Sequence, residues 1–302
     1  MNIVNFGSLN IDHVYSVDHI ATCGETIQAI ACDLFPGGKG FNQSIALARS
    51  GKKIFHAGCV GKDGDSLLEY LCKNGVNVQY LAKAPLMSGH AIIQVDKHGQ
   101  NSIMIYGGSN QSVTKEMVDH VLSAFQKGDI LLLQNEISQV DYLIRKGHER
   151  GLSIAFNPAP FTPSILNYPL DQLDYLFVNE IEAAYIAQEA LDTPMDVVAD
   201  TLEKRFPNVT IVITMGKEGA FLLQRGEKIF QPSYPTETVD TTGAGDTFIG
   251  YFLGAVSNHI PYKAAMQFAA AAASLTVSRK GAAPSIPYFD EVDAFLLQKQ
   301  IR

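Results

Sequence analysis

The sequence predicts an α/β fold of three layers, helix, mainly parallel sheet and helix, with a small β-sheet lid. Three observations predict it. From residue 114 onward, short runs that are apolar throughout alternate with amphipathic stretches, and such runs belong to parallel strands covered on both faces. Five runs end in an amide, a carboxylate or a glycine, at Asn10, Glu136, Asn157, Asn179 and Gly216, and ligands of open α/β sheets sit at that strand edge. A strand-like stretch at 14–33 and a hairpin at 89–106 interrupt the alternation and are expected to pair as a separate sheet needing a partner face.

In order, residues 2–9 read as a strand ending in Gly7-Ser8-Leu9-Asn10-Ile11-Asp12, where Asn10 and Asp12 are either turn formers or ligands. The turn Pro36-Gly37-Gly38-Lys39-Gly40-Phe41-Asn42 leads into a helix through Ala48 that stops near Gly51. Lys39 is a solvated charge or a ligand, and Asn42 a cap or a hydroxyl ligand. Residues 53–60 read as a strand and 63–72 as a helix closed by Gly75. Helices over 114–126 and 138–150 precede strands over 129–134 and 152–156, followed by strands over 174–178 and 209–214 and a hairpin at 220–231. The turn Asp240-Thr241-Thr242-Gly243-Ala244-Gly245-Asp246 opens an apolar helix, and an alanine-rich helix after Pro261, read as a packing element, runs to Ser278-Arg279-Lys280-Gly281-Ala282-Ala283-Pro284-Ser285, expected beside residues 240–246.

Composition bounds the partners. The 302 residues are 46% hydrophobic with a net charge of −8, which argues against nucleic acid as a partner. No run approaches the roughly 20 apolar residues of a membrane span, and the start lacks a basic segment followed by an apolar one. Cys23, Cys32, Cys59 and Cys72 lack zinc-site spacing and are expected reduced and mostly buried, with Cys59 and Cys72 in apolar surroundings. A cytoplasmic location is expected.

The turn at 240–246 carries the chemistry. The first turn of a helix offers free N–H groups and a positive dipole end, so it suits an anion. A carboxylate there opposes a phosphate unless it touches an adjacent hydroxyl and takes its proton, which is the arrangement of phosphoryl transfer to an alcohol. A first-turn Asp is also common for dipole reasons alone. A dinucleotide-binding turn fails on spacing, because Gly243, Gly245 and Gly250 do not form G-x-G-x-x-G and the next carboxylate after Asp246 is Asp290.

Gly37-Gly38-Lys39-Gly40-Phe41-Asn42, Asp240-Thr241-Thr242-Gly243-Ala244-Gly245-Asp246, Gly7-Ser8-Leu9-Asn10-Ile11-Asp12-His13 and Asn179-x-x-Glu182 together resemble the PfkB-type carbohydrate kinase (ribokinase-like) family over nearly the whole chain. The resemblance implies one ribokinase-like domain over 1–302, with the lid built from about 12–34 and 88–107. It implies ATP-dependent phosphorylation of a sugar's primary hydroxyl, the 5-hydroxyl if the sugar is ribose, with Asp246 as base and the N–H groups of Gly243, Ala244 and Gly245 as anion hole. Asn10, Asp12, Gly38, Lys39, Gly40, Phe41, Asn42 and Glu136 would line the sugar pocket. Asn179, Thr214, Met215, Gly216, Lys217, Glu218 and Gly219, with Gly245 and Asp246, would face ATP. Glu182 would act on Mg2+ through water. A K+ site would draw on Asp240, Thr242, Thr276, Arg279, Gly281 and Ser285, with Arg279 giving only its carbonyl. A homodimer through the lid is implied too. Phe41 departs from the small residue usual there, and either narrows the pocket or points into the core. A kinase for another small sugar or a nucleoside, and a non-catalytic sugar sensor, are the alternatives.

Overall fold

The computed structural model describes residues 1–299. Its elements are β1 (Ile3–Phe6), β2 (Asn10–Ser16), β3 (Ala31–Gly37), α1 (Lys39–Arg49), β4 (Ile54–Val60), α2 (Asp65–Lys73) and β5 (Asn77–Lys83). Then come β6 (Gly89–Val95), β7 (Asn101–Tyr106), α3 (Lys115–Leu122), β8 (Ile130–Gln134), α4 (Val140–Glu149), β9 (Ser153–Asn157) and β10 (Tyr175–Asn179). The last are α5 (Glu180–Ala187), α6 (Met195–Arg205), β11 (Thr210–Thr214), β12 (Gly219–Gln224), β13 (Glu227–Pro232), α7 (Ala244–Val256), α8 (Tyr262–Val277) and α9 (Phe289–Gln298).

Nine strands form the main sheet in the order β13-β12-β11-β10-β9-β8-β1-β4-β5, with only β12 reversed, antiparallel to both its neighbours. Strands such as β8, Ile-Leu-Leu-Leu-Gln, are buried on both faces because helices cover both. One face packs on α1, α2, α7, α8 and α9, and the other on α3, α4, α5 and α6. The expected three layers are therefore present. The second sheet, β3-β2-β6-β7, is mixed: β2 runs parallel to β6, and the outer pairs are antiparallel.

Several boundaries differ from the sequence reading. Asn10 and Asp12 belong to β2 of the small sheet and not to a turn closing β1. That sheet spans Asn10–Ser16, Ala31–Gly37, Gly89–Val95 and Asn101–Tyr106, slightly wider at its first end than expected. Of the cysteines only Cys59 is buried; Cys23, Cys32 and Cys72 are exposed. Cys72 directly follows Leu71, which with Leu67 is the buried pair of α2. One further residue turns a helical side chain about 100° away, toward solvent.

The contact that positions the site joins α1 and α7. Asp246, Gly250 and Gly254 lie one turn apart along α7, and Asn42, Ala46 and Ser50 one turn apart along the end of α1. A Cβ on Gly250 would overlap Ala46, and one on Gly254 would overlap Ser50. The two backbones approach so closely only because both positions are glycine. At the top of this ladder the helix starts are side by side, and Asn42 Nδ2 donates to Asp246 Oδ2 at 3.0 Å.

Candidate active site

Both helix starts, and the C-terminal ends of β8, β9, β10 and β11, face one edge of the main sheet. Gly243, in the left-handed region at φ 76°, turns the chain into α7. The N–H groups that follow lack intrahelical acceptors, as at any helix start. A Cβ on Gly245 would meet nothing within 4 Å, so open space lies beside its Cα. Ala244 and Gly245 line a cavity of about 690 Å3 together with Asn179, Thr214, Gly216, Lys217 and Gly219. Asp246 is buried in the first turn at 7% exposure, accepting from Asn42 Nδ2 and, at 2.9 Å, from Gln43 Nε2.

Beside it, Glu136 Oε2 accepts from the Lys39 N–H at 2.9 Å and from Ser8 Oγ, while Gly40 N–H donates to Ser8 Oγ at 3.1 Å. This carboxylate thus secures the start of α1. Asn10 Oδ1 accepts from Asn110 Nδ2 at 2.8 Å, and Asn110 Oδ1 also takes the Leu9 N–H at 3.0 Å. Asn110, pinning the junction of the two sheets, gave no sequence signal because it sits in a single short 3-10 turn, Gly108–Ser112. Asn42 Oδ1 is buried and finds no partner among the described residues. A buried acceptor left open costs free energy unless something donates to it; Gln134 Oε1 is open as well, but of the two only the Asn42 side chain bonds Asp246.

The charges are coupled. Burial, then the Glu136 charge, pushes the Asp12 carboxyl up to about 6. Burial raises Glu136 and Glu182 as well, against the opposing pull of Lys39. At Lys39 burial works against the ammonium, yet Asp246, Glu136 and Glu182 together outweigh it and hold its pKa above the usual value.

Some expectations need correction. Phe41 does not line the pocket: its ring is fully buried in the core, 5.5 Å from the Tyr70 ring. Met215 turns into the core under the opposite sheet face, and Glu218 lies outside the cavity lining. Glu182 closes a capping box with Asn179 at the start of α5. The alanine run is more than packing, because Ala270, Ala273, Ser274 and Val277 of α8 line the cavity. Their small size leaves the volume open. The strap from Ser233 to Thr238, which carries no motif, also contributes lining residues.

The loops at 240–243 and 279–285 meet as expected. Asp240 Oδ1 accepts from Thr242 N–H and Oγ1 at 2.9 and 2.6 Å, and Oδ2 from the Gly281 N–H at 2.9 Å. Burial alone would raise this carboxyl, but those donors outweigh it and set it below the usual range. An ionised carboxylate among loop carbonyls is a hard-oxygen environment that fits a monovalent cation. The Thr276 and Ser285 hydroxyls donate to the Ala272 and Ala282 carbonyls, and the Thr276 carbonyl accepts from the Arg279 N–H at 3.1 Å, so a cation there would have to use its second lone pair. The Arg279 guanidinium pairs with Glu291 at 2.6 Å, in keeping with a carbonyl-only contribution. Among the described residues no cluster of three His, Cys, Asp or Glu side chains forms a divalent cage, and Glu182 as a single carboxylate fits an ion that keeps its waters.

Comparison with known proteins places the chain by family and by fold. Residues 1–288 match the model for the pfkB family carbohydrate kinase. The chain is 36% identical to a ribokinase of Schizosaccharomyces pombe over 99% of both chains. It superposes on the crystal structure of ribokinase from Thermotoga maritima with a TM-score of 0.87, 36% identity and coverage of 98% and 99%. Ribokinase of Arabidopsis thaliana complexed with ribose and ATP superposes with a TM-score of 0.85, 30% identity and 98% coverage of each chain.

Proposed function

The chain belongs to the pfkB family of carbohydrate kinases, and on that premise we propose that it phosphorylates the primary 5-hydroxyl of D-ribose with ATP, giving D-ribose 5-phosphate and ADP. One observation carries this reading: Asp246, buried at the amide-rich start of α7, stands beside the open acceptor of Asn42. An alcohol donating there lies next to a carboxylate able to take its proton.

The sugar side is Asn10, Asp12, Asn42 and the Gly38-Lys39-Gly40 turn, with Glu136 holding that turn in place. Carboxylate and amide groups suit a polyol because each pairs with adjacent hydroxyls. Asp246 receives the proton of the 5-hydroxyl as its oxygen bonds to the γ-phosphorus and the bond to ADP breaks. The N–H groups of Gly243, Ala244 and Gly245 meet the charge on the transferring phosphoryl oxygens. ATP occupies the cavity between Asn179, the 214–219 loop and α8. Glu182 would hold Mg2+, which would neutralise phosphate charge. The 240–243 and 279–285 loops would hold K+, which would order the anion hole, so its effect would fall on kcat. Three exposed thiols suit a reducing, cytoplasmic compartment, and the small sheet is the surface for a second copy.

The test is ADP release with D-ribose, other pentoses, ketohexoses and nucleosides, with and without K+. Ribose turnover that requires Mg2+ and rises with K+ is expected. Asp246→Asn is expected to lose most of kcat while binding ribose in calorimetry. Turnover near the unsubstituted level in that variant would remove Asp246 from the base role, and preference for inosine over ribose would move the substrate to a nucleoside.

A further inference from the structure

Gln43 is fully buried on α1 and has no part in the sugar or nucleotide contacts above. Its Nε2 donates to Asp246 Oδ1 at 2.9 Å and, more weakly, to Asn157 Oδ1 at 3.3 Å. Its Oε1 accepts from Gln134 Nε2 at 2.6 Å, and the same nitrogen donates to Asn5 Oδ1 at 3.0 Å. Asn5 Nδ2 in turn donates to the Gly40 carbonyl at 2.7 Å and to Ser44 Oγ at 2.9 Å. Gln43, Gln134 and Asn5 are all at 0% exposure, and of their side-chain amide atoms only Gln134 Oε1 lacks a partner among the described residues.

Such a chain has a direction. A side-chain amide carries a donor at one end and an acceptor at the other, so fixing one fixes the next. The Gly40 carbonyl can only accept, and that forces the nitrogen of Asn5 toward it and its oxygen toward Gln134. Gln134 must answer with its nitrogen, which also takes the oxygen of Gln43. The nitrogen of Gln43 is thereby left facing Asp246. The other holder of the carboxylate, Asn42 on Oδ2, is beside the proposed sugar position and holds the oxygen that the alcohol would approach. The charged groups around Asp246 are Lys39, Glu136 and Glu182, and none of them makes a hydrogen bond to it that would fix the plane of the carboxylate.

We propose that Gln43 is a positioning residue that anchors Oδ1 of Asp246 and aims Oδ2 at the alcohol, its donor end being set by the buried amide chain from Gly40 through Asn5 and Gln134. The inference rests on the reading of Asp246 as the base.

The experiment compares Gln43→Met, Gln134→Met, the double variant and Asp246→Asn, assayed with Mg-ATP and D-ribose, with ribose Kd from calorimetry and folding from thermal melts. Methionine keeps the length of the side chain and removes the amide. Gln43→Met is expected to lower kcat by about 10- to 100-fold, the scale of a misaimed catalytic group, with ribose KM and Kd within about threefold of the unsubstituted enzyme. Gln134→Met is expected to lower kcat less, and to add nothing in the Gln43→Met background, because it acts through Gln43. A kcat within about threefold in folded Gln43→Met overturns the proposal, and so does a loss carried by KM and Kd, or full additivity of the two substitutions. If Gln43→Met does not fold, Gln134→Met decides alone: lowered kcat with unchanged Kd supports the proposal, and unchanged kcat overturns it. Retained turnover in Asp246→Asn removes the base reading and this inference together. Lost turnover there with unchanged kcat in Gln43→Met removes this inference only.

Discussion

Asp12 lies on β2 with its carboxyl pushed up to about 6 by burial and then by Glu136. Its folded-state value is above the ordinary 3.8, so the fold prefers the protonated form. That preference stabilises fully below 3.8 and is lost as pH rises to about 6. Above that, the buried charge costs the ligand-free protein up to about 3 kcal/mol, at 1.36 kcal/mol per pH unit. Asp12→Asn should therefore melt higher than the unsubstituted chain at pH 8 and close to it at pH 4. Sugar binding has the opposite demand, since the ionised carboxylate is the better acceptor. Ribose KM should fall as pH rises from 5 to 7, and that dependence should vanish in Asp12→Asn. A pH-independent KM in the unsubstituted chain would remove Asp12 from the sugar contacts. Residues of this kind, a carboxylate or amide in a glycine-rich run, are legible in sequence because their chemistry stands out locally. Asn110 is not, and Gln43 shows only as part of the Lys39-Gly-x-Asn42-Gln43 pattern without its role, since an amide within a helix has the same local pattern whether it faces water or a buried partner.

The two glycine-containing starts, α1 and α7, are brought together by packing between elements, and this separates two uses of glycine. Gly250 is needed for space: even a methyl there overlaps Ala46, and overpacking of this kind costs about 1–3 kcal/mol. Gly250→Ala should lower the melting temperature and loosen the Asn42–Asp246 contact, reducing kcat with it. Gly245 is different, because a methyl there meets no protein atom within 4 Å and projects over the amides proposed to hold the phosphoryl group. Gly245→Ala should melt no lower than the unsubstituted chain, since alanine favours a helix over glycine, while kcat falls at least about tenfold as the anion hole is obstructed. Unchanged kcat would show that the phosphoryl group lies elsewhere. The spacing of Asp246, Gly250 and Gly254 was open to view in the sequence, but its partner face on α1 was not, because nothing local says which helix will pack there. Strand β5 and helices α6 and α9 also went unread. In β5 the residues are half-buried or exposed, so the edge of the sheet lacks the continuous apolar run that made β8 to β11 visible.

At the scale of the molecule, the central strands of the main sheet are covered on both faces and the small sheet is not. All six residues of β7 are exposed, among them Met104 at 63% and Ile105 at 53%. Cross-strand register places Ile105 on the face of Asp12, through Ala91, and Met104 on the opposite face with Leu34, through Ile92. One face thus looks over the cleft, and the other presents apolar side chains with no cover from this chain. An open edge strand beside such a face is a liability that a second sheet removes, and a sheet of four strands needs a partner face. A second copy pairing through this surface would fix the position of β2, and hence of Asn10 and Asp12 over the sugar. The expectation is a species of about twice the chain mass in sedimentation velocity, converted to a monomer by Leu34→Asp with Met104→Asp. Because these residues lie on the face away from the cleft, the variant should keep its kcat at saturating ribose, while ribose KM rises as the lid loses its support. A chain that sediments as a monomer before substitution would leave the exposed face without this explanation. A dimer whose dissociation leaves KM unchanged would show that β2 is held by Asn110 and the main sheet alone.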